Sequence, residues 1–518
     1  MKKKPIVIVL SILLALSLVL SACGGNNKGS SDPTATPKGT TDAKGNENKD
    51  AEEPAKPTEI TIMLPLNVAE TPPDTIKIEL EKLTNTKLTY QFSPADTYEE
   101  KLNTSLATST LPQVVYLKNQ ATFLQMREAI RDGQFWEIGP YLAEFPNLNK
   151  LKPEILNNTK VDEKLYSLYI GRPLARQGLI YRKDWADNLG LEAPKTVEDL
   201  YTMLDKFTNG YPDDNGIDDT IGLADRNDLV YGAFKTIASW FATPNGWGEK
   251  DGQLVPDFTS EEYIASMDYM KKIRDNSLMN VDFAATSKTD QVALFTSGKA
   301  GAYIGSMQDI DSLDKDLVKN VPTANASVHA LMEGPGGNVS TWAIPGYNNV
   351  VLFPKTAIKN EDELKKILAF FDAMMTPEVS NLMFWGIEGV HYTVVDGEAK
   401  PSDDKELTER EVKGFKDSVI GEPETSGRLE ALNTLEARIL AEQLIIENAK
   451  VAIHDPTAAL DSATYAEKAT QLQELITDAT YKYMYGSIDL AGFNSAIEDW
   501  KSRGGQQMID EFNAAYKQ

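Results

Sequence analysis

The chain has 518 residues, 41% apolar and 25% charged, the composition of a globular protein with room for a large core, which excludes a polytopic membrane protein or a wholly unfolded one. Acidic residues outnumber basic ones for a formal charge of -25, which argues against nucleic acid and against direct adhesion to anionic lipid. One cysteine, Cys23, and three histidines leave no internal disulfide, no cysteine metal cluster and little material for a histidine-rich site.

Residues 1–22 set a basic start before the apolar run Ile6–Leu20, the layout of a secretory leader. Leu20-Ser21-Ala22-Cys23 matches the bacterial lipobox, which makes Cys23 the lipidation site. Each buried acyl methylene adds about 0.8 kcal/mol of membrane affinity, so two or three chains would hold the protein to the extracellular face of the cell membrane, or the periplasmic side in a Gram-negative source. Residues 23–57 carry almost no large apolar side chain; they cannot offset their ordering entropy and are expected to form a disordered tether.

The fold is expected to begin with a strand at Glu59–Met63, then a helix over 74–83, a strand over 87–92, a helix over 95–108 and a strand over 113–116. Strands alternating with helices imply a mostly parallel sheet, whose ligands sit at the carboxyl ends of the strands. Asn67, Tyr116 and Asn119 fall at such ends and are candidate contacts. Gly178–Tyr181 reads as a strand end, Arg182-Lys183-Asp184 as a turn into a short helix closed by Gly190. Thr196 and Asp199 form a capping-box pattern, and Val197, Leu200, Met203, Leu204 and Phe207 share one helical face. Tyr181 and Arg182 are candidate solute contacts beside an expected crossover, while Trp185 and Leu189 read as core. Two readings stand for Arg172, Arg176 and Arg182: bidentate partners of a sugar carboxylate, or interlobe salt-bridge partners.

Tyr211–Gly222 places Asp213, Asn215 and Asp219 at positions 3, 5 and 9 of an EF-hand-like loop. Tyr211 and Gly222 supply no carboxylate at its two ends, so any calcium there would be weakly held and structural. Aromatics gather over 231–247: Trp240 fits a helical core pattern, whereas Trp247, between glycines with nothing local to pack against, reads as a cleft residue. Residues 291–307 read as helix, turn and a small-residue strand crossing back to a first lobe, with Ser306 in a hinge and ligand loop. Trp342 opens a further cleft loop. A helix capped by Asn360, with Leu364, Ile367, Leu368 and Phe371 inward, is expected to return to the second lobe, which long helices after Gly427 then buttress.

The stretch YRKDWADNLGLEAPKTVEDLYTMLDKF from Tyr181 to Phe207, with LFTSGKAGAY from Leu294, PEVSNLMFWGIEG from Pro377 and His391-Tyr392-Thr393, resembles the family 1 extracellular solute-binding proteins, the receptors of ABC importers. The resemblance implies an α/β, two-lobed periplasmic-binding-protein-like fold of the maltose-binding-protein type. Its lobes would be 58–175 plus 304–360 and 176–303 plus 361–518. It also implies a monomer that captures an oligosaccharide by lobe closure and hands it to ABC permease subunits, with Glu388, His391 and Tyr392 as contacts by matching position. Glu163 stands where the family's hairpin usually has Gly, which makes a primed turn less favourable there. The rival classes are a surface sensor or adhesin, a receptor for peptides or other solutes, and a glycan-active enzyme; no carboxylate pair, metal set or activated nucleophile stands out for the last.

Overall fold

The computed structural model describes residues 56–68 and 70–516; the leader, Cys23 and nearly all of the expected tether lie outside them. No helix among the described residues is long and apolar enough to cross a membrane.

Two sheets organise the chain. The first has five strands in the order Thr86–Pro94, Thr58–Leu66, Val114–Tyr116, Tyr347–Leu352 and Ser167–Gly171. The first three are parallel, and Tyr347–Leu352 runs antiparallel to both of its neighbours. The second has four: Ala326–His329, Gln177–Arg182, Ala300–Ser306 and Ile221–Ala224. Near-continuous burial along Gln177–Arg182 and Ala300–Ser306 marks strands covered on both faces. Each sheet carries its own core. Ile62, Leu64, Val115, Phe123 and Phe371 belong to the first; Trp185, Leu204, Phe207, Trp240 and Met267 belong to the second, on one face of the four-stranded sheet. The other face of that sheet packs Phe295, Tyr303 and Leu313 against the helix Glu436–Lys450.

Local rules place several elements as expected. Thr196 Oγ1 accepts from Asp199 N at 3.0 Å while Asp199 Oδ2 accepts from Thr196 N at 3.0 Å, completing the capping box of the helix Val197–Asn209. The helices Ala463–Met484, Leu490–Trp500 and Gln506–Tyr516 bury Leu472, Phe493, Trp500 and Phe512 in the second core.

The expected lobe boundaries need correction in two places. Ala300–Ser306 does not cross back: it pairs with Gln177–Arg182 and Ile221–Ala224, and the chain stays in the second lobe through Met332. The helix Glu361–Met374 packs Leu364, Ile367, Leu368 and Phe371 into the first core, together with Val412 to Ile420. An amphipathic helix specifies that it needs a core, not which of two equivalent cores receives it. The chain therefore passes between lobes near 172–176, 343–346 and 432–436.

The first two passages run side by side. Arg172 N donates to Gly346 O at 2.8 Å and Ile344 N to Leu174 O at 2.8 Å. A buried asparagine of the second lobe grips each. Asn448 Nδ2 donates to Ala175 O and Gln177 O, both at 3.0 Å; Asn245 Nδ2 donates to Ala343 O at 2.7 Å and to Ile453 O at 2.9 Å. One carboxamide thus reaches two backbone carbonyls at each passage, and Ile453 O also accepts from Ala343 N at 3.0 Å.

The hairpin of Lys160-Val161 and Lys164-Leu165 forms without glycine, because Asp162 (φ 49°) and Glu163 (φ 60°) both take the left-handed conformation. That conformation costs a side-chain-bearing residue roughly 1 kcal/mol. Glu163→Gly is expected to raise stability by somewhat less than that in urea denaturation, since glycine also gains entropy in the unfolded chain. Asn448→Ala is expected to lower it by about 1–3 kcal/mol, the range for buried carbonyls left unpaired.

Candidate functional site

The carboxyl ends of Thr58–Leu66, Val114–Tyr116 and Ser167–Gly171 lie on one edge of the first sheet, the edge from which the passages leave. The segment 416–422 is laid along it. Asn67 Nδ2 donates to Asp417 Oδ2 at 2.7 Å, Tyr116 Oη donates to Ser418 O at 3.0 Å, and Gly421 N donates to Tyr169 O at 3.0 Å. This junction holds cations that form no ion pair, although Asp417, Glu422, Glu424 and Glu430 act on them electrostatically. Arg172, Arg176, Lys416 and Arg428 make no ion pair among the described residues. Burial, then repulsion from Arg176, lowers the Arg172 guanidinium below its ordinary value; Tyr231 and Asp417 pull it the other way. Burial lowers Lys416, helped by Arg428, and brings Arg428 to about 10. Both stand against Phe384, with Lys416 Nζ 4.9 Å and Arg428 Cζ 4.1 Å from its ring centre.

Beside these cations, Arg176 Nε, Gln177 Oε1 and Ser306 Oγ are buried and find no partner among the described residues. Ser306 faces Gln177 across the second sheet, so the three belong to one place. Buried polar groups are normally paired, and unpaired ones at a junction are groups that a polar ligand or water would satisfy. Aromatic surface comes from the second lobe: Tyr231, 47% exposed, lies 5.9 Å from the ring centre of Trp342. Trp342 is fixed by its Nε1, which donates to Thr236 Oγ1 at 3.2 Å, and by strand pairing with Ile453.

A cavity of about 590 Å³ opens behind Trp342 inside the second lobe, lined by Phe234, Lys235, Trp247, Asp257, Asp455 and Trp500 among others. Lys235 Nζ stands 4.6 Å from the Trp342 ring centre. Burial lowers the Lys235 ammonium and raises the Asp257 carboxyl to about 7. Across from this region, Arg127 of the first lobe reaches the loop that closes the second: its Nη1 meets Asp461 Oδ1 at 2.6 Å and its Nη2 donates to Ala458 O at 3.2 Å, while Arg131 also pairs with Asp461.

The junction brings together Asn67, Ser306 and Trp342 of the sequence candidates. Asn119 caps the helix Gln120–Arg131 with its Oδ1, accepting from Thr122 N at 2.9 Å. The rest serve the fold. Tyr116 is a core residue of the first lobe, and Tyr181, 5% exposed, is one of the second. Arg182 turns away from the junction: its guanidinium pairs with both oxygens of Asp184 at 2.8 and 2.6 Å and lies over Trp185. Trp247 does have packing volume, supplied by Phe512 at 4.9 Å from the far end of the chain, though it also lines the cavity. His391 is 1% exposed; its Nδ1 accepts from Ile387 N at 3.0 Å and it packs on Gly386, where a Cβ would sit 2.6 Å from the imidazole. Tyr392 is buried with Trp385 and Ala399, and Glu388 is exposed on that turn. These three knit a hairpin to the first lobe.

The EF-hand-like loop does not fit a cation well. The Asn215 carboxamide donates to Asp213 Oδ2 at 2.7 Å and to Asp219 Oδ1 at 3.4 Å, turning a donor toward both carboxylates. Among the described residues no group of three or more His, Cys, Asp or Glu is placed to hold a metal. Missed by sequence reasoning were Lys416, Arg428, Lys235, Asp257 and Asp455. Nothing local marks them, since a lone cation or acid in so charged a chain carries no pattern.

Two separately cored α/β lobes joined by paired passages, with polar and aromatic groups facing the junction, define a two-lobed solute-binding protein of the maltose-binding-protein type. The chain belongs to the bacterial extracellular solute-binding protein family, whose profile matches residues 69–380. It is 41% identical over 524 residues to the polygalacturonan/rhamnogalacturonan-binding protein YtcQ of Bacillus subtilis, covering 99% of this chain and 98% of the relative. It is 32% identical over 479 residues to lipoprotein LipO of the same organism, covering 88% and 92%. Among solved structures, an HMO-binding ABC-transporter-associated solute-binding protein from Bifidobacterium longum infantis superposes with a TM-score of 0.68 at 18% identity, covering 89% of this chain and 98% of that one.

Burial raises the carboxyls of Asp225, to about 6, and Asp257, to about 7. Because the folded state holds these protons more tightly than the unfolded chain does, their contribution is full below about pH 4 and is lost as pH climbs through 6 to 7. The thermal midpoint is expected to be higher at pH 5 than at pH 7.5. A doubly substituted Asp225→Asn, Asp257→Asn protein should show a flatter profile by calorimetry.

Proposed function

We propose that the protein is a lipid-anchored receptor that captures an acid-bearing oligosaccharide at the interlobe junction and delivers it to an ABC permease. The observation that carries this reading is the set of cations at the junction, Arg172, Arg176, Lys416 and Arg428, held without acid partners in a chain of formal charge -25. Acids such as Asp417, Glu422 and Glu424 act on these cations only from beyond ion-pair distance, which leaves each guanidinium or ammonium open to pairing with an external anion. A uronate carboxylate meets it. The ring faces of Tyr231 and Trp342 suit the C–H face of a pyranose, and Arg176 Nε and Ser306 Oγ suit its hydroxyls.

The printed name of YtcQ, a polygalacturonan/rhamnogalacturonan-binding protein, supports the same chemistry. The layout supports lobe closure: a ligand touching both lobes would favour the closed arrangement by its extra contacts, and the grip of Arg127 on Asp461 is an interlobe contact that a closure movement would make or break. Cys23 would supply the anchor, and LipO is likewise named a lipoprotein. The receptor acts as a monomer and turns nothing over.

Calorimetric titration of the purified protein tests this. Tetragalacturonate is expected to bind and maltotetraose not to. The double substitution Arg172→Ala, Arg176→Ala should weaken tetragalacturonate at least tenfold, and affinity should fall as salt rises. Equal binding of the neutral chain, or cleavage of either chain, would sink the reading.

A further inference from the structure

The cavity behind Trp342 has a chemistry unlike that of the junction. Its volume of about 590 Å³ lies within the range of small-molecule sites, about 300–1,000 Å³. The junction gathers cations; here a single one, Lys235, shares the space with three acids, Asp257, Asp455 and the exposed Glu474. Lys235 forms no ion pair with either aspartate, although both act on it electrostatically. Its ammonium sits over Trp342 with its hydrogens free. Asp455 spends Oδ1 on Thr457, accepting from N at 2.8 Å and from Oγ1 at 2.7 Å, and its Oδ2 receives no donor from the protein.

An entering carboxylate would face three acids and one cation. A hydroxylated, uncharged ring meets no such repulsion: its hydroxyls donate to Asp455 and Asp257, accept from Lys235, and its apolar face lies on the indole. The mouth adjoins the junction. Val230, on the rim, precedes Tyr231, and Tyr465, on the opposite rim, lies within electrostatic reach of Arg127, whose side chain holds the neighbouring loop at Ala458 and Asp461.

We infer that this cavity is the subsite for an uncharged end residue of the bound chain, so that the solute carries both acidic and neutral sugars, the acid held at the junction and the neutral end held by Lys235, Asp257 and Asp455 against Trp342. The inference rests on the junction being the place where the acidic part binds. The clasp of Arg127 on Asp461 then lies beside the occupied end.

The test compares tetragalacturonate with a tetrasaccharide alternating rhamnose and galacturonate, each titrated into the wild-type protein and three variants. Lys235→Gln removes the cation. Ala469→Phe pushes a ring into the cavity from the helix Ala463–Met484 and removes no polar contact. The third is the junction double variant Arg172→Ala, Arg176→Ala. The expected result is that the alternating chain binds at least tenfold tighter than tetragalacturonate. Lys235→Gln and Ala469→Phe should each erase that advantage while changing tetragalacturonate less than twofold, and the junction variant should weaken both chains. Cavity variants that leave the alternating chain unchanged, with the junction variant still harmful, overturn the subsite and spare the junction. Loss of neither chain in the junction variant overturns the junction reading itself. Where Lys235→Gln lowers the melting temperature, Ala469→Phe decides alone.

Discussion

The structure turns on the two passages that lie side by side between the lobes, bonded to each other through Arg172 N to Gly346 O and Ile344 N to Leu174 O and gripped by Asn448 and Asn245. Irregular backbone buried between two cores is costly unless its carbonyls are paired. Two carboxamides do this while leaving the segments free of regular structure. The proposed solute contacts are referenced to them: Arg172 and Arg176 sit on the first passage, Ser306 is registered against Gln177 just beyond it, and Trp342 immediately precedes the second. A junction pinned in this way suits the proposed closure, since it would keep the relative placement of these side chains as the lobes move.

Charge gives the junction its character. The protein is strongly acidic, yet Arg172, Arg176, Lys416 and Arg428 form no ion pair among the described residues, and desolvation shows in the lowered Arg172, Lys416 and Arg428. Arg182, close by in sequence, shows the contrast. It pairs with Asp184 and stacks on Trp185, so its charge is spent inside the lobe. The cavity behind Trp342 has the opposite balance, and the two compartments meet at one indole. Trp342 therefore serves both.

Much of the fold was legible because its signals are local. The capping box at Thr196, the alternation of strands and helices from residue 58 onward, the terminal helices and the core position of Trp240 follow from spacing and propensity. The site was legible in part. Asn67, Ser306 and the buried Trp342 lie at the junction, where loop and strand-end positions point, whereas Tyr116, Tyr181, His391 and Tyr392 look equally suitable in sequence and are buried within a lobe or its hairpin. Burial of a tyrosine depends on what the opposite side of the core supplies, and that side comes from elsewhere in the chain.

By itself the sequence determined the class of fold, the family, the element order and the sign of the net charge, since each rests on composition or on neighbours within a few turns. Tertiary structure alone decided which core receives the helix Glu361–Met374, that Phe512 packs on Trp247, and that Ser418 meets Tyr116 at the strand ends. These are contacts between residues 200 or more positions apart, or choices between two equally apolar destinations. No local pattern encodes them, because an amphipathic face or a lone charge states a need without naming the partner that meets it.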